Sequence, residues 1–402
     1  LVNVGVSTVS ALNVSGNINA NGNIIGDNST NISGISSVTA TSFFGDGSNL
    51  SNISGGCLVL GSGTRNFISD GVDAGKCLGS SANDNILLGL CAGCAVAGAD
   101  GNVFLGCYAG KSVNANANVF IGPKAGCSAT GSYNIGFGYG VNTGNNSGTY
   151  NITLGTDAGR CLGSTSANII IGTAAANNAQ ITGSNNVVIG CRAARNLQGA
   201  SDIVALGRQA LCNITSGAGN VSLGSFSSFC TSSGTCNVNV GHCAGYKNNN
   251  NINVHVGRDA GLCSTAKGGN TVVGASAGKS ISTGCYNTIF GTYAGTVSGC
   301  EGTLTGHCNI IIGTILGGGR LTAGCDNILM GCHAGLKMAS GNNTIMIGAG
   351  AGCCLESGGS DVLIGYRANF NRCTGGSSIA IGSQTAEYAR CGCNVTMGNR
   401  AG

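Results

Sequence analysis

A nine-residue phrase, Asn-apolar-x-apolar-Gly-x-x-Ala-Gly, is written cleanly at Asn102 to Gly110 and returns about every seventeen residues to the end of the chain. Its anchor glycine falls at Gly89, Gly106, Gly122, Gly138, Gly155, Gly172, Gly190, Gly207, Gly224, Gly241, Gly257, Gly274, Gly291, Gly313, Gly331, Gly348, Gly365, Gly382 and Gly398. These nineteen anchors are spaced by 16 to 18 residues, with one interval of 22 between Gly291 and Gly313. A unit this short cannot bury its own apolar residues, so it must stack on copies of itself. That restricts the chain to a solenoid.

The columns around the anchor assign the faces. One residue before it every repeat is apolar, as in Leu88, Leu105, Ile121, Phe137, Leu154, Ile171 and Ile189. Three residues before it nearly all are β-branched and apolar, with Thr271 and Thr288 the mild exceptions. Between them the residue varies freely: Phe104, Thr153, Ser222, Asn239 or His255. Side chains alternate along a strand, so this pattern predicts a three-residue strand with the two apolar positions inward and the variable one outward. The anchor predicts a sharp turn that needs positive φ or a backbone too crowded for a Cβ. Three residues past it sits Ala in 15 of the 19 repeats, read as a small inward residue at a corner.

Composition supports one elongated core rather than the two or three domains that 402 residues would ordinarily make. Gly is 74 of 402, Pro is 1 and only 8% of residues are charged. Without a Gly-x-y period this excludes collagen, and the β-branched columns argue against a disordered tract. A net charge of +4 with no Lys/Arg cluster removes the footprint of a nucleic-acid binder. No apolar run approaches the ~18 residues of a spanning helix. The chain opens on Leu1 with no secretory signature and ends in mid-rung on Asn399 to Gly402, which points to a fragment or a processed product with more chain to follow.

Residues 1–56 lack cysteine and carry alternating Val2, Val4 and Val6, so they predict a thin β-rich shaft buried against other chains, plugged by Phe43 and Phe44. Residues 57–84 read as an irregular capping rung, and 85–402 as the solenoid proper. All 23 cysteines fall between Cys57 and Cys393 and prefer certain columns. Pairs in neighbouring rungs, such as Cys212 with Cys230 or Cys308 with Cys325, could be bridged; the alternative is that Cys fills corners as a small apolar residue.

The phrase Val187-Val188-Ile189-Gly190-Cys191-Arg192-Ala193 resembles the head repeats of trimeric autotransporter adhesins, which form parallel β-rolls in homotrimers. Asn/Thr/Gly-rich repeats of this kind, together with the segment from Val38 to Ile53, are similar to tail-fibre proteins of tailed phages, notably marine cyanobacterial ones. The resemblance implies a homotrimer in the virion tail. Its partners would be other tail or fibre proteins and a glycan or protein on the host surface. A C-terminal chaperone, cut off after trimerisation, would suit the ending at Gly402. The alternative is a bacterial surface adhesin head.

Chemistry is hard to place on so uniform a chain. The 14 acidic residues are scattered, and Glu301, Glu356 and Glu387 fall in connections as solvated charges, so no catalytic residue is assigned and a polysaccharide-cleaving fibre is the weaker alternative. Cys91-Ala92-Gly93-Cys94, His242-Cys243, His307-Cys308 and Cys332-His333 place metal-binding side chains together, but none has the second pair that a zinc site requires. Neither metal nor cofactor is therefore expected. Gly274 to Lys279 lacks the first glycine of a phosphate loop and no helix is expected after it. An ice-binding solenoid would need a monotonous Thr column, which the residues after the anchors do not supply.

Aromatic residues remain, at Phe104, Tyr108, Phe120, Tyr139, Phe226, Tyr293 and Tyr366, either packing between chains or stacking on sugars. Tyr108, Tyr293 and Tyr366 are the candidate receptor contacts. The expectation is an all-β homotrimeric parallel β-roll or β-helix, a rod of roughly 100 Å at ~4.8 Å per rung, that adheres by multivalent contact rather than catalysis.

Overall fold

The structure, a computed structural model, describes residues 59–60, 66–68, 72–79, 81–144, 146–178, 180–265, 267–296, 304–314, 321–374, 376–389 and 393–402. All belong to the second of two compact units, Ser51–Gly402. The shaft at 1–56 with its Phe43–Phe44 plug, the Val38 to Ile53 segment, Cys57, Glu301 and the loop at Gly299 to Gly302 lie outside the described residues.

The described residues form strands and turns, with no helix among them. A three-residue strand precedes each of the nineteen anchors, from Ile86–Leu88 to Val395–Met397. Each pairs with the next in parallel and in register, as Val103 with Val119, Phe104 with Phe120 and Leu105 with Ile121. The result is a parallel β-solenoid of about eighteen turns. The long interval after Gly291 leaves the register intact, with Thr288 opposite Ile310 and Phe290 opposite Ile312. Before the first regular rung, Val59–Leu60 pairs antiparallel with Phe67–Ile68, which in turn lies parallel to Ile86–Leu88.

The anchors behave as the spacing predicts. Gly190 has φ 138°, and a Cβ there would lie 2.4 Å from the Gly207 carbonyl oxygen of the next rung. No L-residue fits that backbone or that gap. Two residues later the chain turns through the left-handed region again with an ordinary residue, as at Tyr108 (φ 59°) and Lys124 (φ 59°). Such turns are strained for non-glycine residues. Rung-to-rung bonds hold them: Tyr108 N–H donates to the Leu90 carbonyl at 2.7 Å and Lys124 N–H to the Cys107 carbonyl at 2.8 Å.

The assignment of faces is overturned. In nearly every strand the middle residue is buried and its two apolar neighbours are half-exposed, so Leu105, Ile121 and Leu154 face out of the solenoid while Phe104, Phe120 and Thr153 face in. The cause is the asparagine that opens most phrases, with Ile203, Thr344, Asp361 and Ser378 the exceptions. Asn85, Asn102, Asn118, Asn134, Asn151 and Asn168 are buried, and alternation carries the next inward position to the strand's middle residue. Each of these six side chains ties its rung to the next. Its Oδ1 accepts the N–H of the Asn one rung on, as Asn102 N–H to Asn85 at 3.0 Å and Asn118 N–H to Asn102 at 2.9 Å, and its Nδ2 donates to a carbonyl, as Asn85 to Ala99 at 2.9 Å.

Inside this ladder lie the mid-strand column, the alanine column and a column seven residues past the anchor, where Val96, Val113, Leu162, Leu197 and Ile214 are buried. The alanines are inward, as expected. Gly136, the mid-strand residue of its rung, is inward too. A Cβ there would sit 2.8 Å from Cδ1 of Phe120, whose ring overhangs it. At Asp361, where the ladder needs an acceptor, an acid replaces Asn. It accepts Ser378 N–H at 3.0 Å and faces the buried Arg372 guanidinium at 3.7 Å, while burial pushes its carboxyl pKa up.

Candidate functional site

Among the described residues the outward strand face is a chemically distinct surface. Its two columns, from Ile86 and Leu88 to Val395 and Met397, are apolar throughout except for Thr271 and Thr288. Ile86, Phe137, Phe290, Ile310, Ile312, Val395 and Met397 count among the exposed large hydrophobic residues. Eighteen steps of ~4.8 Å and ~7 Å between columns make a ribbon of roughly 600 Å² before side-chain width is added. That is at the upper end of apolar patches on monomeric proteins.

Corner aromatics form a second surface. Tyr108 is half-buried with the Lys111 ammonium 5.2 Å from its ring centre, while Tyr293 and Tyr366 are about half exposed. The fold does not bring the three together: eleven rungs separate Tyr108 from Tyr293, and four separate Tyr293 from Tyr366, so roughly 53 and 19 Å lie between them at the strand spacing. Tyr139 is exposed at the same corner, with Lys124 Nζ 5.9 Å from its ring. Phe104 and Phe120 are not surface residues; they stack on each other in the interior at 5.7 Å.

Two aromatic groupings went unread in the sequence. Tyr133 and Tyr150, both exposed, stack at 5.0 Å and 6° because each stands five residues before its anchor in adjacent rungs. Phe226, Phe229 and Tyr246 make a patch across two rungs, with Phe229 stacked on Tyr246 at 5.2 Å and the Arg208 guanidinium 4.5 Å above Phe226. Column position, compared between neighbouring repeats, is the signal that would have found both.

Of the acids, Glu356 is exposed as expected. Glu387 is not a solvated charge: it is largely buried and bonded to Arg367 at 2.9 Å. Cys212, Cys230, Cys308 and Cys325 are all free thiols, so neither suggested neighbouring-rung bridge is formed. Among the described residues Cys263 is disulfide-bonded. Burial, followed by a hydrogen bond with Cys91, pushes the Cys94 thiol pKa up.

The stacking creates pairings that sequence neighbours do not reveal. Cys285 Sγ lies 3.1 Å from His307 Nδ1 of the following rung. His242 Nε2 lies 3.8 Å from Cys243 Sγ, and Asp259, from the following rung, brings a carboxylate so that all three ligand atoms fall within 4.8 Å of one another. Burial, and secondly the Asp259 charge, raise the Cys243 thiol pKa. In the interior, His255 is fully buried and its pKa is lowered by burial to about 4. Its Nδ1–H donates to Asn239 Oδ1 at 2.7 Å, and Nε2 has no partner.

No protein-family model, curated protein or solved structure matches the chain.

Proposed function

We propose that this chain is a structural fibre protein of a tailed phage, a homotrimer in the virion tail that attaches to the host surface by multivalent contact. The outward apolar ribbon carries the reading. A solenoid whose dry face repeats every ~4.8 Å is matched along its whole length only by a partner of the same rise, and a second and third copy of the chain have that rise. Burying three such ribbons against one another removes from water the apolar area that a single chain leaves exposed. The corner aromatics with their cationic neighbours, Tyr108 with Lys111 and Phe226 with Arg208, then stand at three equivalent places and suit flat, hydroxyl-rich ligands such as surface sugars. The assignment to phages comes from the resemblance of Val38 to Ile53 and of the repeats.

Sedimentation equilibrium of the full chain tests the assembly, with Leu154→Asp/Ile171→Asp as the variant that charges the ribbon. Wild type is expected at three times the chain mass and the variant at one. A monomeric wild type sinks the proposal. Binding of labelled protein to intact cyanobacterial cells tests attachment, with the charged variant expected to lose roughly 10²- to 10⁴-fold in avidity.

A further inference from the structure

We propose that His242, Cys243 and Asp259 bind a divalent cation of the zinc class and clamp the rung anchored on Gly241 to the rung anchored on Gly257. The donors are an imidazole nitrogen, a thiol sulfur and a carboxylate oxygen, a mixed set that suits zinc better than the oxygen-seeking calcium or magnesium. Tetrahedral zinc, at ~2.3 Å from sulfur and ~2.0 Å from nitrogen, sets those two atoms roughly 3.6 Å apart. Here they are 3.8 Å apart, and the carboxylate oxygen is within 4.8 Å of both.

The backbone already holds the ligands in place. Cys243 and Asp259 occupy the same left-handed corner position of adjacent rungs, with φ 55° and 56°, so they stand one strand spacing apart. Asp259 N–H donates to the His242 carbonyl at 2.9 Å, which ties the rungs together at the site itself. The His242 ring rests edge-on against Phe226, 6.1 Å between centres. His242 is exposed, leaving room for water as the fourth ligand. Asp259 otherwise faces Arg258 at 3.0 Å, an exposed pair of little worth that a dication displaces. Binding releases the Cys243 thiol proton to solvent.

The location also makes physical sense. Asn239 and His255, the interior residues of these same two rungs, are polar, so the apolar stacking that joins rungs elsewhere is interrupted here. A metal bridge on the outside supplies an inter-rung link at that point.

The test uses the full chain, reduced and stripped of metal, titrated with cobalt(II) while the thiolate-to-cobalt charge-transfer band is followed, then back-titrated with zinc. Cys243→Ser, Asp259→Asn and His242→Gln are compared with Cys191→Ser, an exposed thiol with no such neighbours, which sets the background from other cysteines. Asn tolerates the left-handed backbone of Asp259, so that variant retains the corner. Cys243→Ser is expected to bind one equivalent fewer, and Asp259→Asn and His242→Gln to bind roughly tenfold or more weakly. Zinc is expected to raise the thermal midpoint of wild type and Cys191→Ser but not of Cys243→Ser. Equal uptake by Cys243→Ser and wild type overturns the site, as does wild-type affinity in either of the other two variants.

Discussion

The rungs anchored on Gly106 and Gly122 and those anchored on Gly224, Gly241 and Gly257 share one backbone and have opposite fillings. In the first pair the inward positions hold Phe104, Phe120, Val113 and Ala129; in the second set they hold Ser222, Asn239, His255, Thr231, Asn248 and Ser264, and all are buried. The apolar core accordingly ends at Ile214 and resumes at Ala260. Yet the anchors keep the same conformation, φ 133° at Gly106 and 132°, 135° and 130° in the polar rungs. The asparagine ladder also continues, Asn237 N–H to Asn220 at 3.1 Å and Asn253 N–H to Asn237 at 2.9 Å. The turn and the ladder thus specify the path of the chain, while the filling sets how strongly each rung holds its neighbour.

Truncating a side chain costs most in the apolar rungs. Phe120 is fully buried, stacked on Phe104, and Gly126 and Gly136 both lack a Cβ where its ring passes. Phe120→Ala leaves a cavity between glycines that cannot fill it, at a cost of about 3–5 kcal/mol. Stability in a solenoid is a sum of rung and neighbour terms. The loss should therefore appear as lowered hydrogen-exchange protection near rungs Gly106 to Gly138, with the polar rungs unchanged. Equal loss of protection along the whole chain would contradict independent filling.

Much of this was legible in the residues, and the failure is instructive. The anchor glycines and the inward alanines follow from spacing and size, and the structure agrees with both. The faces of the strand do not follow, because hydrophobicity alone sends apolar Leu105 and Ile121 inward and variable Phe104 and Ser222 outward. Hydrophobicity decides faces only when one side of a strand is wet; here the inside is a ladder of bonded amides, and the outside carries the larger apolar columns. Asn102 stood in the phrase from the outset, and its recurrence one inward step from the variable position was the unused clue. Gly136 held a second clue, since a glycine facing open water needs no reason and one beneath Phe120 has one. The Cys243–Asp259 approach was unreadable without the register, because it joins residues sixteen apart by stacking rather than by motif.

The polar side is probed by acid. His255, buried against Asn239 with uncharged neighbours, has a folded pKa of about 4 against 6.5 for the free side chain. The unfolded state therefore takes up the proton first. Stability is intact above about pH 6.5 and is lost as pH falls toward 4, by roughly 3 kcal/mol in all. Hydrogen exchange at rungs Gly224 to Gly257 should report the loss, and His255→Asn should abolish it. Asp361, whose pKa is raised by burial, shifts stability in the opposite sense as pH falls, but it sits six rungs beyond Gly257. An acid response centred there, or one retained in His255→Asn, would remove His255 as the cause.

The smallest effect is the most discriminating. Asn239 donates to Ser228 Oγ at 2.7 Å and accepts from His255, while Ser222 donates to Ser228 at 2.9 Å. Removing one member strands the rest, so Asn239→Leu alone should cost about 1–3 kcal/mol. Removing all of them leaves only Ser227 Oγ, which Ser222 also reaches at 2.7 Å and which keeps its own bond to the Gly224 carbonyl at 2.9 Å. The room at His255 resembles that at Phe120: a Cβ on Gly261 would lie 2.2 Å from the His255 ring, as one on Gly126 would from the Phe120 ring. Ser228 occupies the same left-handed corner as Ala176 and Ala194. The fourfold variant Ser222→Val/Ser228→Ala/Asn239→Leu/His255→Phe should then fold within about 1 kcal/mol of wild type and lose the acid response. If urea melts instead place it several kcal/mol below Asn239→Leu, the filling is not interchangeable. The polar rungs would then owe their path to the network itself rather than to the turn and the ladder.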